Sequence, residues 1–414
     1  MELSVPSDIA KEKVSIKYLF FTFLKIGCVS FGGHMALVSL IQRIMVEQDK
    51  TINNEDVLNN VTVASFMPGP MAVNVVANIG YSLKGKLGAA VSMFAVLLPA
   101  SILMLCLAYV YYSNGLNISW SLMMQYVGTI VSMIILSTGL QLFKKEISLN
   151  YGKIFLFLIA ITLDLIKGNY LITIVLIIIG AIAGLVFDQK ENNYTEAITS
   201  FKRKFKLRLK SFSFIAVTIL FINQVLFITG AFKSYQNIFF KIGTIFSGIS
   251  ISLFGGGYLV IPIMQSLLVK DMKWLSAREL IDVIAFSQVT PGPILVSSTF
   301  IGFKLAGFLG ALVATCSMFV PSAILMIVVS KIFNKTKDHP LIKSMISGIK
   351  VVVIGLIISS AIKILLLQPR TLLVGAMCVV SLILSYKYKL SPVYLILGAI
   401  FLGTVSILYN GKLF

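Results

Sequence analysis

A chain of 414 residues with 57% hydrophobic and only 12% charged side chains, at a mean hydropathy of +0.94, lacks the charge to cover a water-facing surface; soluble domains carry about 25% charged residues. The net charge of +19 does not call for nucleic acid, because Lys and Arg retained on the cytoplasmic side of a membrane protein give the same excess. Cys28, Cys106, Cys316 and Cys378 stand singly in apolar runs, with no CxxC or Cys/His spacing, so neither a metal site nor a redox pair is indicated.

In chain order, the opening MELSVPSDIAKEKVSIK is polar and lacks the apolar core of a secretory signal, so the first span is expected to direct its own insertion. Apolar runs near the length of a bilayer span follow, among them Gly88–Tyr112, Leu122–Phe143 and Tyr170–Phe187. A polar stretch, Asp188–Lys210, ends in KRKFKLRLK and reads as a cytoplasmic linker. The predicted organisation is a first half over 1–188, a linker over 189–211 and a second half over 212–414. It holds about 13 hydrophobic segments, the extra one being Ser213–Gly230. Anchored on that linker, the count puts roughly three times as many Lys and Arg inside as outside, with a cytoplasmic N-terminus in a bacterial inner membrane.

The two halves carry the same punctuation. Phe31-Gly32-Gly33 and Met67-Pro68-Gly69-Pro70 recur 223 residues later as Phe254-Gly255-Gly256 and Thr290-Pro291-Gly292-Pro293. After a one-residue deletion, Gly80, Gly85, Gly88 and Pro99 match Gly302, Gly307, Gly310 and Pro321. Such a register implies one architecture used twice. Basic residues switch loops between the copies: Lys84 and Lys86 face Ala306 and Phe308, whereas Lys270, Lys273 and Arg278 have acidic residues, among them Asp49, Glu55 and Asp56, in the corresponding loop of the first half. That exchange predicts an all-α membrane protein built as an inverted-topology repeat, a ground plan of secondary transporters.

Gly and Pro in mid-segment predict broken helices at both motifs. Pro70 and Pro293 are expected as first residues of restarted helices, whose N-terminal N–H groups favour an anion. The candidate anion ligands are Lys25, Gly32, Gly33, His34, Pro68, Gly69, Pro70 and Asn74 in the first half. In the second half they are Gly255, Gly256, Gly257, Gln288, Thr290, Pro291, Gly292, Pro293 and Ser297. Thr290 is a candidate cap, and Asn78 shares a face with Asn74. Each polar residue alone reads equally as an interhelical hydrogen bond. Lys25, about two turns before Gly32, reads either as a cation on the anion path or as a side chain snorkelling to the interface. Asp164 reads as the one acid deep in an apolar run and a candidate proton relay.

FGGHMALVSLIQR, MPGP and IGYSLKGKLGAAVSMFAVLLPAS resemble the first half of the chromate ion transporter family. FGGGYLVIPIMQ and QVTPGPILVSSTFIGFKLAGFLGALVATCSMFVPSA resemble its second half. The family's first half often continues FGGP with Ala-His, where this chain has His34 and Met35, and Met71-Ala72-Val73-Asn74 is closer to single-domain members. The resemblance implies the two-domain form, a secondary transporter exporting chromate with sulfate-like anions as competitors. With no Walker motif and only His34 and His339 as histidines, no built-in ATPase or cofactor is expected. An enzyme is the weaker reading, as is a channel, and a carrier of another anion remains the alternative. The expected partners are a small inorganic anion and the lipid bilayer, with a coupling proton or cation and a homodimer left open.

Overall fold

Inside hydrocarbon the backbone has no water to bond, so a chain this apolar must satisfy its peptide groups within its own helices. The computed structural model describes residues 14–31, 34–113, 118–147, 150–187, 211–231, 236–253, 257–333 and 340–410, all helix and connecting turns. Gly32, Gly33, Gly255, Gly256, the side chain of His34 and linker residues 189–210 lie outside the described residues.

The first half begins with α1 (Ile16–Val29) and α2 (His34–Ile41), which runs into a π-helical turn at Gln42–Gln48. It continues through α3 (Asn54–Phe66), α4 (Met71–Ser113), α5 (Ile118–Glu146), α6 (Tyr151–Lys167) and α7 (Tyr170–Phe187). After α8 (Ser211–Thr229) come α9 (Ile238–Ser252), the short α10 (Val260–Met264) with its π-helical turn Gln265–Asp271, and α11 (Ala277–Val289). The chain ends with α12 (Ser297–Phe333), α13 (Pro340–Leu366), α14 (Leu372–Tyr386) and α15 (Pro392–Asn410). Among the described residues, four stretches are long and apolar enough to cross a membrane: Met71–Ser113, Met124–Glu146, Ile294–Ser330 and Lys343–Leu366. Shorter apolar helices accompany them at Tyr170–Val186, Ile238–Ser252, Leu372–Tyr386 and Pro392–Ser406. The molecule is therefore a multi-pass membrane protein.

Side chains close several helix starts. The Ser15 hydroxyl accepts the Tyr18 N–H at 3.0 Å, and Asn150 accepts the Lys153 N–H at 3.2 Å. At α11, Ser276 and Glu279 satisfy each other's backbone N–H groups at 3.1 and 2.7 Å, a reciprocal capping box.

The irregular features recur at the spacing of the motifs. Lys50 and Lys273, 223 residues apart, both take positive φ, 51° and 52°. So do Gly69 and Gly292, at 104° and 123°. Inside α4, Lys84 (φ −136, ψ 29) and Gly85 (φ 62, ψ −150) leave helical geometry. Inside α12, Ala306 (φ −151, ψ 33) and Gly307 (φ 59, ψ −150) do the same. Gly is the residue that adopts this conformation without a side-chain penalty.

That pair of residues folds each long helix back on itself. A Cβ on Gly80 would lie 2.5 Å from the Gly88 carbonyl oxygen, and one on Gly302 would lie 2.3 Å from that of Gly310. In one continuous helix those residues stand about 12 Å apart. The Thr299 and Thr315 hydroxyls bond across the second hairpin at 2.7 Å. The apparent 43-residue helix α4 is thus two antiparallel arms. Arm 71–83 is about 20 Å long and arm 86–113 about 42 Å, so only the second crosses hydrocarbon alone.

Two compact units are present, each taking segments from both sides of the linker. Unit one comprises Met1–Val110, Leu209–Gly257 and Thr290–Thr336; unit two comprises Tyr111–Arg208, Tyr258–Val289 and Lys337–Phe414. In unit one, α9 packs along α12 and α8 on α9, and Gly27 of α1 meets α4 so closely that a Cβ would touch the Val96 carbonyl at 2.5 Å. In unit two, α13 is the central helix, packed by α5, α6 and α7. Its Ser344 and Gly348 face Gly180 and Gly184 of α7 in a small-residue crossing, with a Cβ on Gly184 only 2.1 Å from the Ser344 carbonyl.

Candidate functional site

The breaks that the glycines and prolines predict come together in unit one. Helix α1 ends at Val29, and Ser30 leaves helical geometry at φ −81, ψ 63. Helix α9 ends at Ser252, with Leu253 at φ −81, ψ 107. The two Pro-Gly-Pro turns bond to these ends crosswise. The Gly69 N–H donates to the Leu253 carbonyl at 2.7 Å, and the Gly292 N–H donates to the Ser30 carbonyl at 3.0 Å. Ser30 and Leu253 are themselves 223 residues apart, so each half's turn ties off the other half's broken helix. The same exchange governs packing. A Cβ on Gly69 would fall 2.1 Å from the Ser322 Cβ, and one on Gly292 would fall 3.1 Å from the Ala100 Cβ. Gly257 closes the second break, where a Cβ would meet Leu295 at 2.9 Å.

Each restarted helix presents free N–H groups. In α4 the first intrahelical bond runs from the Asn74 N–H to the Pro70 carbonyl at 2.9 Å, leaving the preceding N–H groups at the tip. In the second half the Val296 N–H reaches Pro293 at 3.0 Å. Pro70 and Pro293 are therefore N-cap residues, one position earlier than the expected first helical residue. The extended ψ of Pro293, 145°, suits the cap. The N-cap position of the restart at Ile294 is Pro293, which gives no side-chain cap bond.

Asn74 is fully buried. Its Nδ2 donates to the Pro68 carbonyl at 3.1 Å, and its Oδ1 has no hydrogen-bond partner. The hydroxyls of Ser92, Ser101, Ser250 and Ser298 are likewise buried without one. Ser298 stands in the first turn of α12, beside the second break. Ser297 and Thr290 are buried as well. Asn78 takes the interhelical role: its Nδ2 donates to Asn60 Oδ1 and its Oδ1 accepts from Ser330 at 3.1 Å.

Lys25 stands on the exposed face of α1 with Phe21, Cys28 and Val29, opposite the buried Phe23 and Ile26. Among the described residues, the buried charged side chains are Asp164 and Asp282, both in unit two. The breaks thus offer dipoles and hydroxyls without a buried cation. Such a set can replace an anion's hydration shell through N–H and O–H donors.

Unit two holds the remaining polar residues. Asp164 is ion-paired with Lys363 and accepts the Ser359 hydroxyl at 2.7 Å. Lys350 pairs with Glu146 at 3.0 Å. Gln288 is half-buried near the end of α11. Asp282, also on α11, is 1% exposed, so Asp164 is not the only deeply buried acid. The sequence conceals Asp282 because α11 carries Arg278 and Glu279 beside it and reads as a solvated helix start. Ser30, Ala100 and Ser322 are likewise invisible as site residues, although the repeat register pairs Ala100 with Ser322.

The chromate transporter family model matches the chain twice, over residues 17–185 and 240–404. An uncharacterized transporter of Methanocaldococcus jannaschii is 28% identical over 93% of both chains. A probable chromate transport protein of Synechococcus elongatus is 28% identical over 93% of this chain and 94% of its own. The chromate transport protein of Cupriavidus metallidurans is 26% identical over 95% of this chain and 93% of its own. No solved structure matches. With both halves matched and the breaks built from the motifs that carry the likeness, this chain belongs to the chromate transporter family.

Proposed function

We propose that this protein is a secondary active transporter of a tetrahedral inorganic oxyanion, exporting chromate with sulfate-like anions as competitors. The observation that carries this reading is the crosswise junction of Gly69 with Leu253 and Gly292 with Ser30, where two helix N-termini begin beside buried hydroxyls. Irregular backbone at membrane depth is tolerated where it is buried or lines a wet cavity, and paired broken helices in two halves mark transport sites. The anion is held by the N–H groups after Pro70 and Pro293, by Asn74, Ser297 and the buried hydroxyls, with Gly32, Gly33, His34, Gly255 and Gly256 as further candidate ligands from the sequence motifs. Lys25 snorkels to the interface from its exposed position.

The halves 1–188 and 212–414 form an inverted-topology repeat of about 13 hydrophobic segments. In it α1 with α2, and α3 with the first arm of α4, each make one broken segment, and α8 is the added span that reverses the second half. The basic linker 189–211 and the N-terminus are cytoplasmic, in a bacterial inner membrane. Another oxyanion as the physiological cargo is the second reading, favoured by the lack of a buried cation among the described residues of the site.

Uptake of radiolabelled chromate into inside-out vesicles, with sulfate and molybdate as competitors, tests this. Saturable, sulfate-inhibited uptake is expected. Absence of uptake by folded, abundant protein excludes chromate, and uptake of a different oxyanion selects the second reading.

A further inference from the structure

Asp282 is a buried acid without a cation on it. It lies 1% exposed on α11, and the Tyr111 hydroxyl donates to its Oδ2 at 2.7 Å. Its Oδ1 has no hydrogen-bond partner. Asp164, the other buried acid among the described residues, is offset by Lys363 and Ser359. A desolvated carboxylate met by one neutral hydroxyl is poorly compensated, and such acids in transporters serve proton pathways.

Tyr111 is held edge-on by Phe286, with ring centres 6.0 Å apart. Tyr112 lies beside it, its hydroxyl 3.5 Å from Glu279. Arg278, exposed one turn back, attracts Asp282 and Glu279 repels it. Of the elements packed against α11, α15 carries no Asp, Glu, Lys, Arg or His, and α5 carries charge only at its end, in Lys144, Lys145 and Glu146. The π-helical turn carries Lys270 and Asp271.

Position along the chain gives the group a use. From Asp282 to the end of α11 at Val289 is about 11 Å of helix, and Thr290 and the second Pro-Gly-Pro turn follow at once. Neutralising the carboxylate removes the uncompensated charge from the helix that leads into that turn.

We propose that Asp282, positioned by Tyr111, is the proton-coupling site of the transport cycle. It takes a proton from water on one side of the membrane to become the neutral acid, and returns that proton to water on the other side as the carboxylate re-forms. The inference rests on the transport reading and names its driving ion.

The test is oxyanion uptake into proteoliposomes under an imposed pH gradient, alongside counterflow exchange at equal pH. Wild type is expected to respond to the gradient. Asp282→Asn is expected to lose that response at least tenfold while keeping counterflow within about threefold. Tyr111→Phe, which keeps the acid and removes its donor, is expected to move the pH midpoint of uptake upward by about one unit. An Asp282→Asn protein that still follows the gradient overturns the proposal. So does an unmoved midpoint in Tyr111→Phe, which also decides the matter if Asp282→Asn fails to fold. A wild type that transports oxyanion without responding to pH rejects the proton alone, whereas one that moves no oxyanion rejects the transport reading itself.

Discussion

The two units solve the problem of polar groups in an apolar protein in opposite ways. Unit one breaks its helices and buries no charged side chain among the described residues, tying off the broken ends at Ser30 and Leu253 with glycine N–H groups. Unit two, packed around the continuous helix α13, buries two acids, one paired with Lys363 and one with Tyr111. Backbone dipoles suit a passing anion because they attract without binding as tightly as a fixed charge. Fixed acids suit a group that stays in place and changes its protonation. The difference separates a region built from shape from a region built from charge.

Within unit one the shape is duplicated but the side chains around it are not. Gly69 presses on Ser322 while Gly292 faces only Ala100, with implied Cβ contacts of 2.1 and 3.1 Å. The largest expected effect follows from that gap. Gly69→Ala combines positive-φ strain with overlap on Ser322 and is expected to cost about 3 kcal/mol or more. Gly292→Ala carries mainly the strain, about 1–2 kcal/mol. Thermal melting of the two purified variants measures the gap, and equal losses would show that the breaks are equivalent after all.

Unit two is tested through its ion pair. Lys363→Met leaves Asp164 buried with Ser359 as its partner and is expected to cost about 3 kcal/mol, while Asp164→Leu together with Lys363→Met recovers most of it. A single variant as stable as wild type would mean that Asp164 is not held by charge. The cap prolines carry a smaller effect. Pro70→Ala and Pro293→Ala each free a backbone φ and are expected to reduce uptake roughly fivefold, about 1 kcal/mol, at unchanged membrane levels. Lys25→Met, on the exposed face of α1, is expected to leave the apparent KM within about twofold. A larger rise would put Lys25 back on the anion path.

Much of the fold is legible because glycine and proline announce backbone geometry directly. The spacing of the FGG and PGP motifs foretells the paired breaks, and the apolar run read at Ser213–Gly230 is helical, as α8. The hairpins within α4 and α12 are not foretold, because a glycine in an apolar run reads equally as a packing point. Only the positive φ of Gly85 and Gly307 distinguishes a fold-back. The crosswise bonds to Ser30 and Leu253 are long-range and use main-chain carbonyls, which leave no mark on composition. Asp282 is hidden for a different reason: its neighbours Arg278 and Glu279 are polar, so local pattern masks a burial that tertiary packing creates.

Binding of radiolabelled chromate to the purified protein in detergent measures the junction most directly, without gradients or orientation. Saturable binding at about one anion per chain, displaced by sulfate and weakened in both Pro70→Ala and Pro293→Ala, is the expected result. Saturable binding left unchanged by both substitutions would place the anion elsewhere and contradict the crossed breaks as its site.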